Sequence, residues 1–95
     1  MTEIDRALRL SEDVLLHLSE RPDQLLAFLR SSGLAPEDLR RQAGSAELAA
    51  ALLDHLVADE AALLDCAAAI GRRPAELMAA RTVLSGPGSY GWSVD

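Results

Sequence analysis

Along the first twenty residues, apolar side chains recur at three- and four-residue intervals. On a helical wheel Ile4, Ala7, Leu8, Leu10, Val14, Leu15 and Leu18 gather on one side, with Asp5, Arg6, Arg9, Glu12 and Asp13 opposite. This predicts a helix near 3–19 with Thr2 as its N-cap. Pro22 suits the first position of a second helix, whose Leu25, Leu26, Phe28 and Leu29 share a face until Gly33 ends it. Pro36 opens a short third helix that Gly44 closes. Ser45 caps a fourth helix through Ala58, lined by Leu48, Leu52, Leu53, Leu56 and Val57.

Asp59 and Glu60 suit the positive N-terminus of a fifth helix running to Gly71, with Leu63, Leu64, Cys66, Ala67 and Ile70 on its buried arc. Pro74 opens a sixth, carrying Leu77, Met78 and Leu84. Leu and Ala make up more than a third of the chain and β-branched residues are few, so no strands are expected. The prediction is an all-α, compact bundle of five to six short helices. It forms a single helical domain over 1–84, followed by a flexible Gly/Ser-rich tail over 85–95, SGPGSYGWSVD.

Shifted by 38 residues, the chain matches itself. Leu10 falls on Leu48, Leu15 on Leu53, His17 on His55, Leu18 on Leu56, Leu25 and Leu26 on Leu63 and Leu64, Gly33 on Gly71, Pro36 on Pro74 and Leu39 on Leu77. The shared Gly-x-x-Pro-x-x-Leu specifies a tight corner between helices, with Gly as a left-handed C-cap and Pro in the next first turn. Two readings fit: two pseudo-twofold-related three-helix units, or the shared grammar of Leu-rich helices.

The segments PDQLLAFLRSSGLAPEDLRRQAG and LLDHLVADEAALLDCAAAIGRRPAEL, within the stretch Pro22 to Leu84, resemble the domain-of-unknown-function family 3572. The resemblance implies a short cytosolic all-α protein and supplies no activity. The family pattern has an acidic N-cap before each helix-opening proline, where this chain has Arg21, Ala35 and Arg73. That departure implies weaker capping in the same fold.

The charge changes what partners are expected. Nine arginines, no lysine and 15 acidic residues give a formal charge of −6. Phosphate affinity depends on clustered cations, so neither nucleic acid nor an anionic membrane surface is an expected partner. The N-terminus lacks the apolar run of a signal peptide, and no stretch approaches the roughly 20 apolar residues of a bilayer span. One cysteine, Cys66, cannot form an internal disulfide. A cytoplasmic location is expected, and arginine without lysine fits a GC-rich bacterial genome.

The candidates for chemistry are few. His17 and His55 superpose under the 38-residue shift and border their helices' apolar arcs. Asp13 precedes His17 by four residues and Asp59 follows His55 by four, so each imidazole is read as a boundary residue beside a carboxylate of its own helix. Pairing of the two halves would make a two-His, two-Asp metal site, but neither helix has His-Glu-x-x-His spacing, and no cofactor is expected. Cys66 on its apolar arc is read as packing, as is Ser11, whose hydroxyl can bond a carbonyl one turn back. Arg40 and Arg41 after the Gly33 corner invite a helix-turn-helix, DNA-binding alternative, against which Glu37 and Asp38 stand at the helix start. Arg72 and Arg73 are read as cations answering the fifth helix's dipole.

Tyr90 and Trp92, in a chain whose other aromatic ring is Phe28, are the candidate partner-binding residues. The expected function is therefore an interaction module for a protein partner, or a small homo-oligomer, without catalytic activity. A DNA-binding regulator is the alternative, and a small metal protein or enzyme the third.

Overall fold

A computed structural model of the chain, describing residues 2–85, contains six helices: α1 Glu3–Ser19, α2 Pro22–Ser32, α3 Pro36–Gln42, α4 Ala46–Val57, α5 Glu60–Ile70 and α6 Pro74–Ser85. No strand occurs among the described residues. Each boundary follows from local chemistry. Thr2 Oγ1 accepts the Asp5 N–H at 3.1 Å while the Asp5 carboxylate accepts the Thr2 N–H at 3.3 Å, a reciprocal capping box that satisfies two orphan donors. Ser45 Oγ accepts from Leu48 N–H, and Asp59 Oδ1 from Ala62 N–H.

The three proline-opened helices have no side-chain acceptor at Arg21, Ala35 or Arg73. In two of them the third helical residue compensates. The Asp38 carboxylate accepts the Ala35 N–H and the Glu76 carboxylate accepts the Arg73 N–H, each at 2.8 Å. These backbone hydrogen bonds are the main reason both carboxyls lie below the usual carboxylate range. Gly33 and Gly71 end α2 and α5 at φ of 77° and 72°, backbone that side-chain-bearing residues adopt only at a cost.

Helices α1, α4 and α6 pack closely on one another at the centre, with α2 and α5 against the α1–α4 pair. Val14, Leu18, Phe28, Leu52, Leu53, Leu56, Cys66 and Leu77 are shut off from solvent. Four residues placed on apolar arcs by the pattern stand about half exposed instead: Ile4, Leu26, Leu64 and Met78. An apolar arc is wider than the strip that a neighbouring helix covers, and these positions sit at its margins.

The 38-residue repeat reappears as helix order: α2 and α5 are displaced by exactly that shift at both ends, as are the starts of α3 and α6. The packing repeats for two helices of each half, since α1 contacts α5 as α4 contacts α2. It fails for the third. Helix α6 lies along both α1 and α4, whereas α3 touches α4 lightly and buries no residue completely. Connectivity explains the difference: α3 must deliver the chain into α4 through Ala43, Gly44 and Ser45, which holds it at the start of α4 and away from α1.

Candidate functional site

Both histidines contact the second helix of the opposite half. His17 is buried in the α1–α5 interface, with Nε2 3.9 Å from Asp65 Oδ2 and no hydrogen-bond partner on the protein. Burial, with Arg21 alongside, pushes its pKa below the ordinary 6.5, although Asp65 and Glu20 oppose the shift. His55 meets α2: its ring lies edge-on to Phe28 at 5.4 Å between centroids, and Nδ1 is 3.1 Å from Ser31 Oγ. Ser31 Oγ also lies 3.1 Å from the Phe28 carbonyl oxygen, one turn back on its own helix.

These contacts correct the sequence reading of the two sites. His17 is not a boundary residue with an exposed edge, and its nearby carboxylate is Asp65 of α5 rather than Asp13 of its own helix. Asp13 faces Arg72 at 3.9 Å, and Asp59 caps α5. The imidazoles are turned into separate helix interfaces by the packing, so the two-His, two-Asp cluster does not assemble. Among the described residues no group of three or more His, Cys, Asp or Glu side chains is placed to hold a metal ion.

The remaining candidates resolve into packing. Cys66 is fully buried, and burial beside Asp65 pushes its thiol up to about 11, far from a nucleophilic thiolate at neutral pH. Ser11 donates to the Leu8 carbonyl at 2.7 Å. Arg41 pairs with Asp38 of its own helix, while Arg40 stands at the edge of a surface groove. Arg72 reaches Asp13 and Glu76, and Arg73 approaches Glu76, so these cations join α5, α6 and α1 as well as following the end of α5. Tyr90 and Trp92 lie outside the described residues.

Among the described residues, three surface concavities border the candidate residues. One, of about 400 Å³, is polar and opens over His17 between Asp13, Glu20 and Arg21. A second, of about 230 Å³, follows the seam between α1 and α6, floored by Ala7, Leu10 and Ala80 and edged by Arg6, Arg72 and Glu76. The largest, about 710 Å³, is the gap that α3 leaves beside α1 and α2. Its walls include Leu15, Leu16, Leu25, Pro36 and Leu39, with Glu12 and Arg40 at the rim.

This groove has a counterpart that is filled. Leu15, Leu25 and Leu39 are half-buried, whereas their equivalents Leu53, Leu63 and Leu77 are buried where α6 closes on α4, an approach also tied by the Arg81–Asp54 ion pair. Sequence reasoning assigned Leu15 and Leu25 to helix faces and Leu39 to the repeated Gly-x-x-Pro-x-x-Leu corner, without seeing that the gap between them stays open. One signal pointed there: Leu16, 60% exposed, lies outside the apolar arc of α1.

No helix among the described residues is long and apolar enough to cross a membrane. No curated protein and no solved structure matches the chain. The family model described as "Protein of unknown function (DUF3572)" matches residues 4–87, taking in α1 as well as the stretch from Pro22 to Leu84, and the chain therefore belongs to the DUF3572 family.

Proposed function

We propose that this domain is a protein-interaction module without catalytic activity, which docks an amphipathic helix of a partner protein in the α1–α2–α3 groove. The observation that carries the reading is the open leucine-lined gap whose equivalent in the other half is closed by a helix. The walls indicate the occupant: a helix whose apolar face meets Leu15, Leu16, Leu25 and Leu39 fills the space that α3, unlike its equivalent α6, leaves open. The net charge of −6 makes association with a second copy costly and favours a partner helix with basic flanks.

The same acidity weighs against nucleic acid as the partner, since Arg41 is engaged by Asp38 and carboxylates outnumber cations. A bacterial cytoplasm fits the lysine-free composition and the buried, unpaired Cys66.

The test replaces Leu16 by Arg. Because Leu16 is exposed, the variant is expected to keep its helicity and melting temperature while losing the partner that wild-type protein captures from native lysate. Capture that is indifferent to Leu16→Arg sinks the reading. A concentration-dependent dimer abolished by the same substitution replaces the partner helix with a second copy.

A further inference from the structure

The His17 side chain is 2% exposed and lines the polar concavity between α1 and α5, and its Nε2 finds no hydrogen-bond partner among the described residues. A buried polar atom left in that condition is costly, so it points to an occupant. Asp65 Oδ2 lies 3.9 Å from Nε2, and Arg21 Nε lies 3.9 Å from the same oxygen. Neither distance is that of a hydrogen bond. The Arg21 guanidinium is engaged elsewhere, with Nη1 donating to the His17 backbone carbonyl at 3.4 Å. We propose that His17 Nε2 and Asp65 Oδ2 together seat a primary ammonium group supplied by another molecule.

Two acceptors at this separation can share one ammonium nitrogen about 2.8 Å from each, with roughly 90° between the two bonds, near enough to the tetrahedral spread of its N–H groups for both to form. The imidazole is suited to accept. Burial, with Arg21 alongside, holds its pKa below 6.5, so it is neutral at neutral pH and has one ring nitrogen free of a proton.

The surroundings select the same group. The concavity, about 400 Å³, has room for a four-carbon stem, and Leu16, Ala69 and Ile70 give that stem apolar surface to lie on. Asp13 is answered by Arg72 and Asp65 by Arg21, whereas Glu20, close enough to act on His17 electrostatically, is paired with no cation among the described residues and favours a positive occupant. No lysine occurs among the 95 residues, so neither this chain nor a second copy has an ε-ammonium to place there. The source is a partner's lysine or a free primary amine. Leu16 walls both this concavity and the groove beside α3, so a helix docked in the groove can extend a lysine over Leu16 into the seat. That source rests on the groove reading, whereas the seat itself does not.

The probe is n-butylammonium, a lysine side chain without its backbone, titrated into the protein at about pH 7.5 and followed at the imidazole nitrogens by long-range proton–nitrogen NMR correlation. His17 Nε2 is expected to carry no proton and to shift saturably toward the position of a hydrogen-bonded acceptor, while His55 stays in place. Tetramethylammonium, of equal charge but without N–H groups, is expected to move neither. Asp65→Asn, at an exposed position, is expected to keep the fold and to weaken the response several-fold. A proton on Nε2, no response, an equal response to tetramethylammonium, or one untouched by Asp65→Asn in a folded variant overturns the proposal.

Carbodiimide, which joins a carboxylate to an amine in contact with it, separates the sources in native lysate. A partner's lysine gives a cross-linked peptide on Asp65, a free amine gives a small adduct there, and an Asp65 joined to neither overturns the proposal. A titration that fails while capture remains sensitive to Leu16→Arg strikes the seat and spares the groove. One that succeeds while capture is indifferent to Leu16→Arg supports the seat and strikes the groove.

Discussion

Leu39 and Leu77 are the same position of the 38-residue repeat, and truncating each to Ala tests the asymmetry of the bundle directly. Leu77 is fully buried on α6 in the central packing; Leu39 is half-buried at the wall of an open groove. Leu77→Ala loses the transfer free energy of the side chain and leaves a cavity, because α1, α4 and α6 are held by many other contacts and collapse incompletely, for a cost of about 3 kcal/mol. At Leu39 part of the side chain is already in water and the groove admits solvent into the vacated space, so the cavity contribution vanishes and the cost is about 1 kcal/mol. A domain of this length is stabilised by roughly 5–14 kcal/mol, so the first change removes a large share and lowers Tm by roughly 12–24 °C, the second by roughly 4–8 °C. Urea unfolding followed by far-UV circular dichroism measures both, and an unchanged m value validates the comparison. Losses equal within about 0.5 kcal/mol would mean that α3 packs as α6 does and that the groove is not open in solution.

The buried Cys66 thiol, at about 11, is expected to resist alkylation by iodoacetamide at pH 8 in the native protein and to react fully in urea; rapid native labelling contradicts its burial. His17 has a folded pKa below its ordinary 6.5, so the unfolded chain binds the extra proton first and stability is fully present above that pH, then falls as pH drops below it. His17→Leu is expected to flatten that slope, and a slope that survives the substitution refutes the assignment. Asp38 and Glu76 do not mask it, because their lowered pKa values place their loss of stabilisation at pH below 4.5. Gly33→Ala is expected to cost about 1 kcal/mol by urea midpoint, from its φ of 77° alone, since an added Cβ meets nothing within 4 Å. Gly33→Asn, which tolerates the left-handed region better, is expected to lose less, and equal losses would point to a cause other than backbone strain.

What the sequence by itself determined here is everything that depends on near neighbours along the chain. Thr2, Ser45 and Asp59 cap helices, Gly33 and Gly71 end them, and Pro22, Pro36 and Pro74 open them, because capping and φ restriction are settled within four residues. The compensation for the missing caps at Ala35 and Arg73 is local too, an acid three residues on, where the sequence reading expected only weaker capping. The repeat was legible too, as a shift that the helix boundaries follow.

Only the tertiary structure decided which of the repeated positions are equivalent in environment. Leu39 and Leu77 have the same local context, yet one lines a groove and the other is core, because the three residues after α3 hold it at the start of α4 while α6 lies along both α1 and α4. His17 and His55 likewise share a position along their helices, but the helices opposite them offer Asp65 to one and Ser31 with Phe28 to the other. Helical periodicity specifies which side of a helix is apolar. It carries no information about how much of that side a neighbour covers, because that is set by where the connections allow the next helix to lie.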